Sequence, residues 1–142
     1  LDDVVAREAI RVTMARYNIN GDSARLAALA DCFTEDGVLE FVGRRLVGRA
    51  EIAKGLEVPG EFSPDLTLMR HNLTTSLIEL DGDRATGRSY FQVVTNVGLD
   101  HGGVYTDTFA RVDGQWLIAY RNVRIEWQAA NSLCGPIPLG RR

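Results

Sequence analysis

The first twenty residues carry two apolar lines at helical spacing. Val5, Ala9, Val12, Ala15 and Ile19 recur every three or four positions, and Ile10, Met14 and Tyr17 run beside them. This predicts a helix that buries more than half its girth and ends at Asn20-Gly21. Asp22 and Ser23 then offer N-caps for a second helix carrying Leu26, Leu29 and Phe33. TEDG, residues 34–37, reads as a break. Residues 38–42 and 46–48 read as strands, 49–57 as a short helix, and VPGEFSPD, 58–65, as a loop. From Leu66 onward the period changes to two. Long strands are predicted over 71–80, 84–97, 104–112 and 115–127. Asp81-Gly82-Asp83, GLDHGG (98–103) and Asp113-Gly114 supply the turns, and the last is the strongest hairpin signal in the chain. Residues 128–142 read as an irregular tail. Helices followed by antiparallel strands define an α+β class, with N-terminal helices packed on a curved, mainly antiparallel sheet of five or six strands.

Composition narrows the function classes. The 142 residues make a single domain, 45% hydrophobic and 25% charged, which excludes global disorder. No apolar run approaches the roughly 20 residues of a membrane span. The net charge of −3 argues against nucleic-acid binding by phosphate neutralisation. Two cysteines, Cys32 and Cys134, define no disulfide framework. The start, LDDVVAREAI, is unlike a signal peptide, so a cytoplasmic location is expected.

The strand faces hold the candidate chemistry. Leu117, Ala119, Arg121, Val123, Ile125 and Trp127 alternate along the last strand, so one guanidinium falls on an apolar face. Burying it costs several kcal/mol unless it is paired, so Arg121 either meets a carboxylate or lines a cavity that uses its charge. His71 opens a strand in line with Leu73, Thr75 and Leu77, where a lone histidine is most often structural. His101, in a Gly-rich turn, reads as a solvated loop residue. Asp22 reads locally as a helix cap and Tyr17 as a core aromatic. Trp116, Ile118 and Tyr120 fall on the face opposite Arg121 and would form an exposed apolar patch in a monomer, which predicts a homo-oligomer. The segment Gly82–Ser89 mimics a phosphate loop, but it has Arg for Lys and spans a hairpin. No dinucleotide fingerprint, metal-ligand spacing or nucleophile elbow is present, so neither a metal nor an organic cofactor is implied.

Three segments carry a family resemblance: RYNINGDSARLAALADCFTEDGVLEF (16–41), RHNLTTSLIELDGDRATGRSYFQVV (70–94) and GGVYTDTFARVDGQWLIAYRNVRIEW (102–127). Together they resemble the SnoaL-like branch of the NTF2-like superfamily over nearly the whole chain. The resemblance implies a cone of helices and curved sheet enclosing a pocket. Within the superfamily the chain is most similar to the lyases that use an Asp–His pair: bile-acid dehydratase, scytalone dehydratase and hexachlorocyclohexane dehydrochlorinase. The family Asp falls on Asp22, the His on His71 and the Arg on Arg121, while Tyr17 matches the tyrosine of the bile-acid enzyme. Ketosteroid isomerase is a worse match, because its general base would fall near Phe41.

Chemistry agrees with these roles. Asp22 would orient His71 and favour its protonated form. His71 would remove a proton, and Arg121 and Tyr17 would stabilise the developing oxyanion. The implied function is a cofactor-independent, dehydratase-type lyase acting on a small hydrophobic, cyclic, hydroxylated substrate. A proton-transfer isomerase, a polyketide-type cyclase and a non-catalytic binding protein are the alternatives. Phe41, Leu68, Phe91, Val104 and Trp127 are the expected substrate-contacting positions. The resemblance favours a trimer over a dimer.

Overall fold

A computed structural model describes residues 1–57, 62–135, 137 and 139. Residues 58–61 of the expected loop, and 136, 138 and 140–142 of the expected tail, lie outside the described residues. The elements are α1 (Asp2–Asp22), α2 (Leu26–Ala30), β1 (Phe33–Phe41), β2 (Arg44–Val47), α3 (Arg49–Gly55), β3 (Met69–Asp81), β4 (Arg84–Thr95), β5 (Gly98–Val112) and β6 (Gln115–Gln128). Six strands form one sheet in the order β2-β1-β6-β5-β4-β3. The β1–β6 pair is parallel and the others are antiparallel, so the α+β architecture is a mixed sheet with α1 packed across one face. At the β5–β6 turn Asp113 and Gly114 both have positive φ, 49° and 77°, as a tight hairpin requires.

Of the two apolar lines on α1, only one is buried. Ile10, Met14 and Tyr17 enter the core with Thr13 and Asn18, whereas Val5, Val12 and Ile19 are exposed. One helix arc faces the sheet, and the line with the larger side chains occupies it. The helix runs one residue past Gly21. The residues read as a break lie inside β1, where the pairing register with β6 shifts between Phe33 and Val38. The expected turn at 98–103 is also displaced. The chain reverses at Asn96-Val97, and Gly98 to Gly103 already belong to β5.

Two bulges in β6 correct the face assignment of the last strand. Ala119 is the extra residue between the partners of Thr108 and Phe109, and Glu126 the extra residue between the partners of Gly102 and Gly103. The inward face is therefore Trp116, Ile118, Arg121, Val123 and Ile125. Trp116 and Ile118 are buried in the core, so the apolar patch assigned to Trp116, Ile118 and Tyr120 does not exist. Beyond the second bulge Trp127 turns to the outer face. Its indole lies over Gly102, where a Cβ would come within 2.7 Å of the ring nitrogen, so only glycine fits. No helix among the described residues is long and apolar enough to cross a membrane.

Candidate active site

Asp22 is the last residue of α1, and its carboxylate reaches across to β3. It accepts the backbone N–H of His71 at 3.0 Å and meets the His71 Nδ1 at 2.6 Å. The expected capping role is absent: α2 starts at Leu26, and no side chain caps it. A carboxylate can only accept, so the ring nitrogen supplies the proton of the second bond. The Nε2 of His71 is then the nitrogen left with a lone pair. The Asp22 side chain is 8% exposed and that of His71 22%, so the pair is partly open to solvent where the end of α1 meets β3.

Behind His71 the interior is filled by a column of flat groups. His71 lies against Phe91, with ring centroids 6.2 Å apart. Phe91 stacks on Tyr105 at 4.4 Å and 16°. The Arg121 guanidinium sits 4.1 Å from the Tyr105 ring and 4.2 Å from that of Tyr17. These residues come from β3, β4, β5, β6 and α1 in turn, so the column ties the sheet to the helix. Tyr105 hydrogen-bonds Asn18 on α1, one turn before Asp22. Burial pushes the pKa of Tyr105 well up, and that of Tyr17 up against the opposing pull of the guanidinium beside it.

Arg121 is therefore not beside His71. It is fully buried, with Nε and Nη2 donating to the two oxygens of Asp107 at 2.7 and 2.9 Å. Burial works against its charge, but the Asp107 carboxylate outweighs that and holds the guanidinium protonated. Nη1 has no partner among the described residues. The structure thus joins Asp22 to His71 at a partly exposed end of the stack, its mouth, and gathers Arg121, Tyr17, Tyr105 and Asp107 at the buried end, its floor. The expected convergence of all four candidate catalytic residues on one point is replaced by two sites, with Phe91 between them.

The five expected substrate-contacting residues also divide. Phe91 belongs to the stacked column. Phe41 pairs with Val123, an inward residue, and packs against the core. Leu68 is exposed, just ahead of β3. Val104 and Trp127 are on the outer face, where they line a cleft of about 280 Å³ with Thr74, Arg88, Tyr90 and Gln92. A second cleft of about 290 Å³ lies at the far end of the sheet, around Glu79, Arg84 and Thr108. Neither cleft includes Asp22 or His71.

His101 is buried in β5 rather than solvated in a turn. Its Nδ1 is 2.7 Å from Asp100, whose carboxylate is fully buried and also accepts Thr95 Oγ1, Ser132 Oγ and the Leu133 N–H. Burial disfavours the Asp100 charge, yet these donors outweigh it and bring the pKa down to about 2. Burial lowers the pKa of His101, opposed by Asp100, and pushes the Cys134 thiol up to about 12. Asp100, His101 and Cys134 bring metal-capable atoms within 4.8 Å of one another. Both Asp100 oxygens are already taken by donors, so the cluster works as a carboxylate hub that fastens residues 132–134 to β5. Sequence reasoning missed Tyr105, Asp107 and Asp100. Asp107 alternates with Tyr105 and Phe109 on β5, a charge on an apolar face that mirrors Arg121 across the hairpin.

Comparisons with known proteins bear on the family and the fold. No curated protein sequence matches the chain. The chain is similar to a protein of unknown function from Mycobacterium tuberculosis, at 33% identity and a TM-score of 0.77, covering 92% of this chain and 77% of that one. It is similar to a candidate scytalone dehydratase from Novosphingobium aromaticivorans, at 25% identity and a TM-score of 0.79, covering 99% and 97%. It is also similar to an NTF2-like protein with a cystatin-like fold from the same organism, at 27% identity and a TM-score of 0.77, covering 93% and 89%. The SnoaL-like domain family matches residues 2–122, and the chain belongs to that family.

Proposed function

We propose that the chain is a cofactor-independent lyase that removes water from a small hydrophobic, cyclic ketone bearing a hydroxyl β to the carbonyl. One observation carries this reading. The His71 ring is pinned at Nδ1 by Asp22 at 2.6 Å while the ring stays about a fifth exposed. That is the arrangement of a positioned general base, with the tautomer set and the second nitrogen free.

The reaction balances on His71 alone. Its Nε2 takes the proton from the carbon next to the carbonyl. The electron pair of that C–H bond becomes the new carbon–carbon double bond as the C–O bond breaks. The imidazolium returns the proton to the departing hydroxide, which leaves as water. Asp22 stabilises the imidazolium between the two transfers. The similarity to the candidate scytalone dehydratase supports a bicyclic ketone as the first substrate class to try.

A β-hydroxy tetralone, which becomes a fluorescent naphthol on losing water, tests this in deuterated buffer. Naphthol formation that survives exhaustive chelation is the expected result. Exchange of the carbon-bound proton without naphthol would point to isomerase-type proton transfer. Neither exchange nor naphthol would leave a binding protein and sink the catalytic reading.

A further inference from the structure

Helix α1 carries an apolar line that the fold leaves uncovered. Its buried line, Ile10, Met14 and Tyr17, faces the core. On the opposite side Leu1, Val5, Glu8, Val12, Ala15 and Ile19 are all exposed, Val5 at 60% and Ile19 at 59%. Only Glu8 interrupts this apolar line. The intervals along it are four, three, four, three and four, the seam spacing of a two-helix coiled coil. An ordinary surface helix has one apolar stripe, and α1 has two. A narrow seam of this spacing is complementary to another helix of similar length, rather than to a flat surface or a small ligand.

The charges beside the seam select the partner. The exposed acids Asp2, Asp3 and Glu8 lie in the first half of α1, and the exposed bases Arg11 and Arg16 in the second. None of the five forms an ion pair among the described residues. The two charges that would blur this division are used elsewhere. Arg7 donates to the Ile78 carbonyl on β3, and Asp22 is held by His71. A second copy laid antiparallel sets each acidic half against a basic half, whereas a parallel copy sets like against like. The seam is also symmetric end to end. A two-fold axis at the level of Ile10 brings Leu1 level with Ile19 of the second copy, Val5 with Ala15 and Glu8 with Val12. It puts Arg11 about 1.5 Å along the helix from the level of the second copy's Glu8, and Arg16 about 3 Å from that of its Asp2. By the helical period each of these pairs lies on one flank of the seam, so the charge of Glu8 is answered where it interrupts the apolar line.

We infer that the exposed face of α1 is an interaction surface for a second copy of this chain, forming an antiparallel two-fold dimer along the seam from Leu1 to Ile19. The surface is not the sheet face that strand alternation assigned to Trp116, Ile118 and Tyr120, and the assembly is a dimer where the family resemblance favours a trimer. The inference concerns assembly alone and stands whether or not His71 acts as a base.

Sedimentation velocity over about 1–500 µM tests this, a range suited to a single helix pair, which belongs to the small, reversible class of interface. The mass of the wild-type chain should rise with concentration from one copy to two. Val12→Glu, at the middle of the seam, should weaken the dimer by about tenfold or more. Tyr90→Glu, on the outer sheet face, should leave it unchanged. Both positions are exposed, and a thermal melt of each variant shows that the fold is intact. Two further variants read the orientation, Val5→Cys and Ala15→Cys. Mixed under mild oxidation they should form a disulfide between unlike chains. Neither should do so alone, because like positions lie about 15 Å apart along an antiparallel pair. The native Cys32 and Cys134 are buried and do not compete. A monomer throughout the range, a trimer, a dimer that survives Val12→Glu or is lost in Tyr90→Glu, or disulfides between like positions would each overturn the proposal.

Discussion

At the partly exposed mouth of the stack Asp22 and His71 meet at 2.6 Å, and the imidazole remains about a fifth exposed. At its floor Asp107 and Arg121 meet at 2.7 and 2.9 Å, and neither is exposed at all. Both are acid–base pairs on an otherwise apolar surface, yet their chemistry diverges. Arg121 spends two of its three nitrogens on one carboxylate and packs its guanidinium against two tyrosine rings. What remains is one unpartnered nitrogen with no route to solvent. His71 spends one nitrogen and keeps the other. A buried charge that is fully compensated is a structural element, and a half-satisfied group at an opening is available for chemistry. On the proposed reading catalysis belongs to the mouth and cohesion to the floor, and each assignment can be broken separately.

The largest effect should come from the mouth. His71→Asn preserves a donor toward Asp22 and removes the base, so dehydration of the tetralone should fall by about 10²–10⁴-fold. Its urea midpoint should barely move, because the ring is partly solvated. A parallel collapse of stability would show that His71 is structural like Arg121.

The floor should respond in the opposite sense. Asp107→Ala strands a buried guanidinium and should cost about 3–5 kcal/mol in urea unfolding, roughly a fifth or more of a typical domain's stability. The double variant Asp107→Leu, Arg121→Met removes both charges and should recover most of that loss. A cost below about 1 kcal/mol for Asp107→Ala would mean that the floor is open enough for water to replace the carboxylate.

Between these lies Asp100, which anchors the second imidazole. Its pKa drops from 3.8 to about 2 on folding. The charged form is therefore favoured in the folded state, and the stability it provides is present above pH 4. That stability disappears as the pH falls through about 2. The shift corresponds to about 2 kcal/mol, since one pKa unit is about 1.4 kcal/mol. Asp100→Asn should flatten acid unfolding between pH 4 and 2 and loosen residues 132–134, read as faster amide exchange at Leu133. An unchanged acid profile would remove Asp100 from its hub role.

The long antiparallel strands and the pairing of Asp22 with His71 were legible because their signals are local or repeated. Alternation marks the strands, Asp113-Gly114 marks the hairpin, and a family pattern marks the dyad. The floor was not legible, for a specific reason. An ideal two-residue hairpin at 113–114 would oppose Asp107 to Tyr120, and only the extra residue at Ala119 slides it opposite Arg121. A bulge has no compositional signature, so parity counted from the strand end misplaced Trp116 and Ile118, and the second bulge at Glu126 misplaced Trp127. His101 was hidden differently. Gly98, Gly102 and Gly103 suggest a turn, but here Gly102 admits the Trp127 indole, and a Cβ at Gly103 would collide with the Arg124 carbonyl oxygen at 1.9 Å. Those glycines serve close strand approach rather than reversal. Asp22 hid as a cap because capping competes for the same carboxylate, and only the arrival of β3 decides the contest.

Tyr17 gives the smallest expected effect and marks the border between the two regions. The family resemblance makes its hydroxyl a donor to the substrate oxygen. In the fold its ring lies 4.2 Å from the Arg121 guanidinium and edge-on to Phe33 and Tyr105, which places it with the floor. Tyr17→Phe keeps the ring, and with it the contact to the cation and the packing against both aromatics. Only the hydroxyl is lost, and burial raises its pKa, so it stays protonated across the assay range. Stability should fall by less than about 1 kcal/mol, and tetralone dehydration should change by no more than about threefold. A loss of tenfold or more in kcat, at an unchanged melting temperature, would mean that the hydroxyl reaches the reacting oxygen past Phe91. Tyr17 would then belong to the mouth, and the column from His71 to Arg121 would have to part when substrate enters.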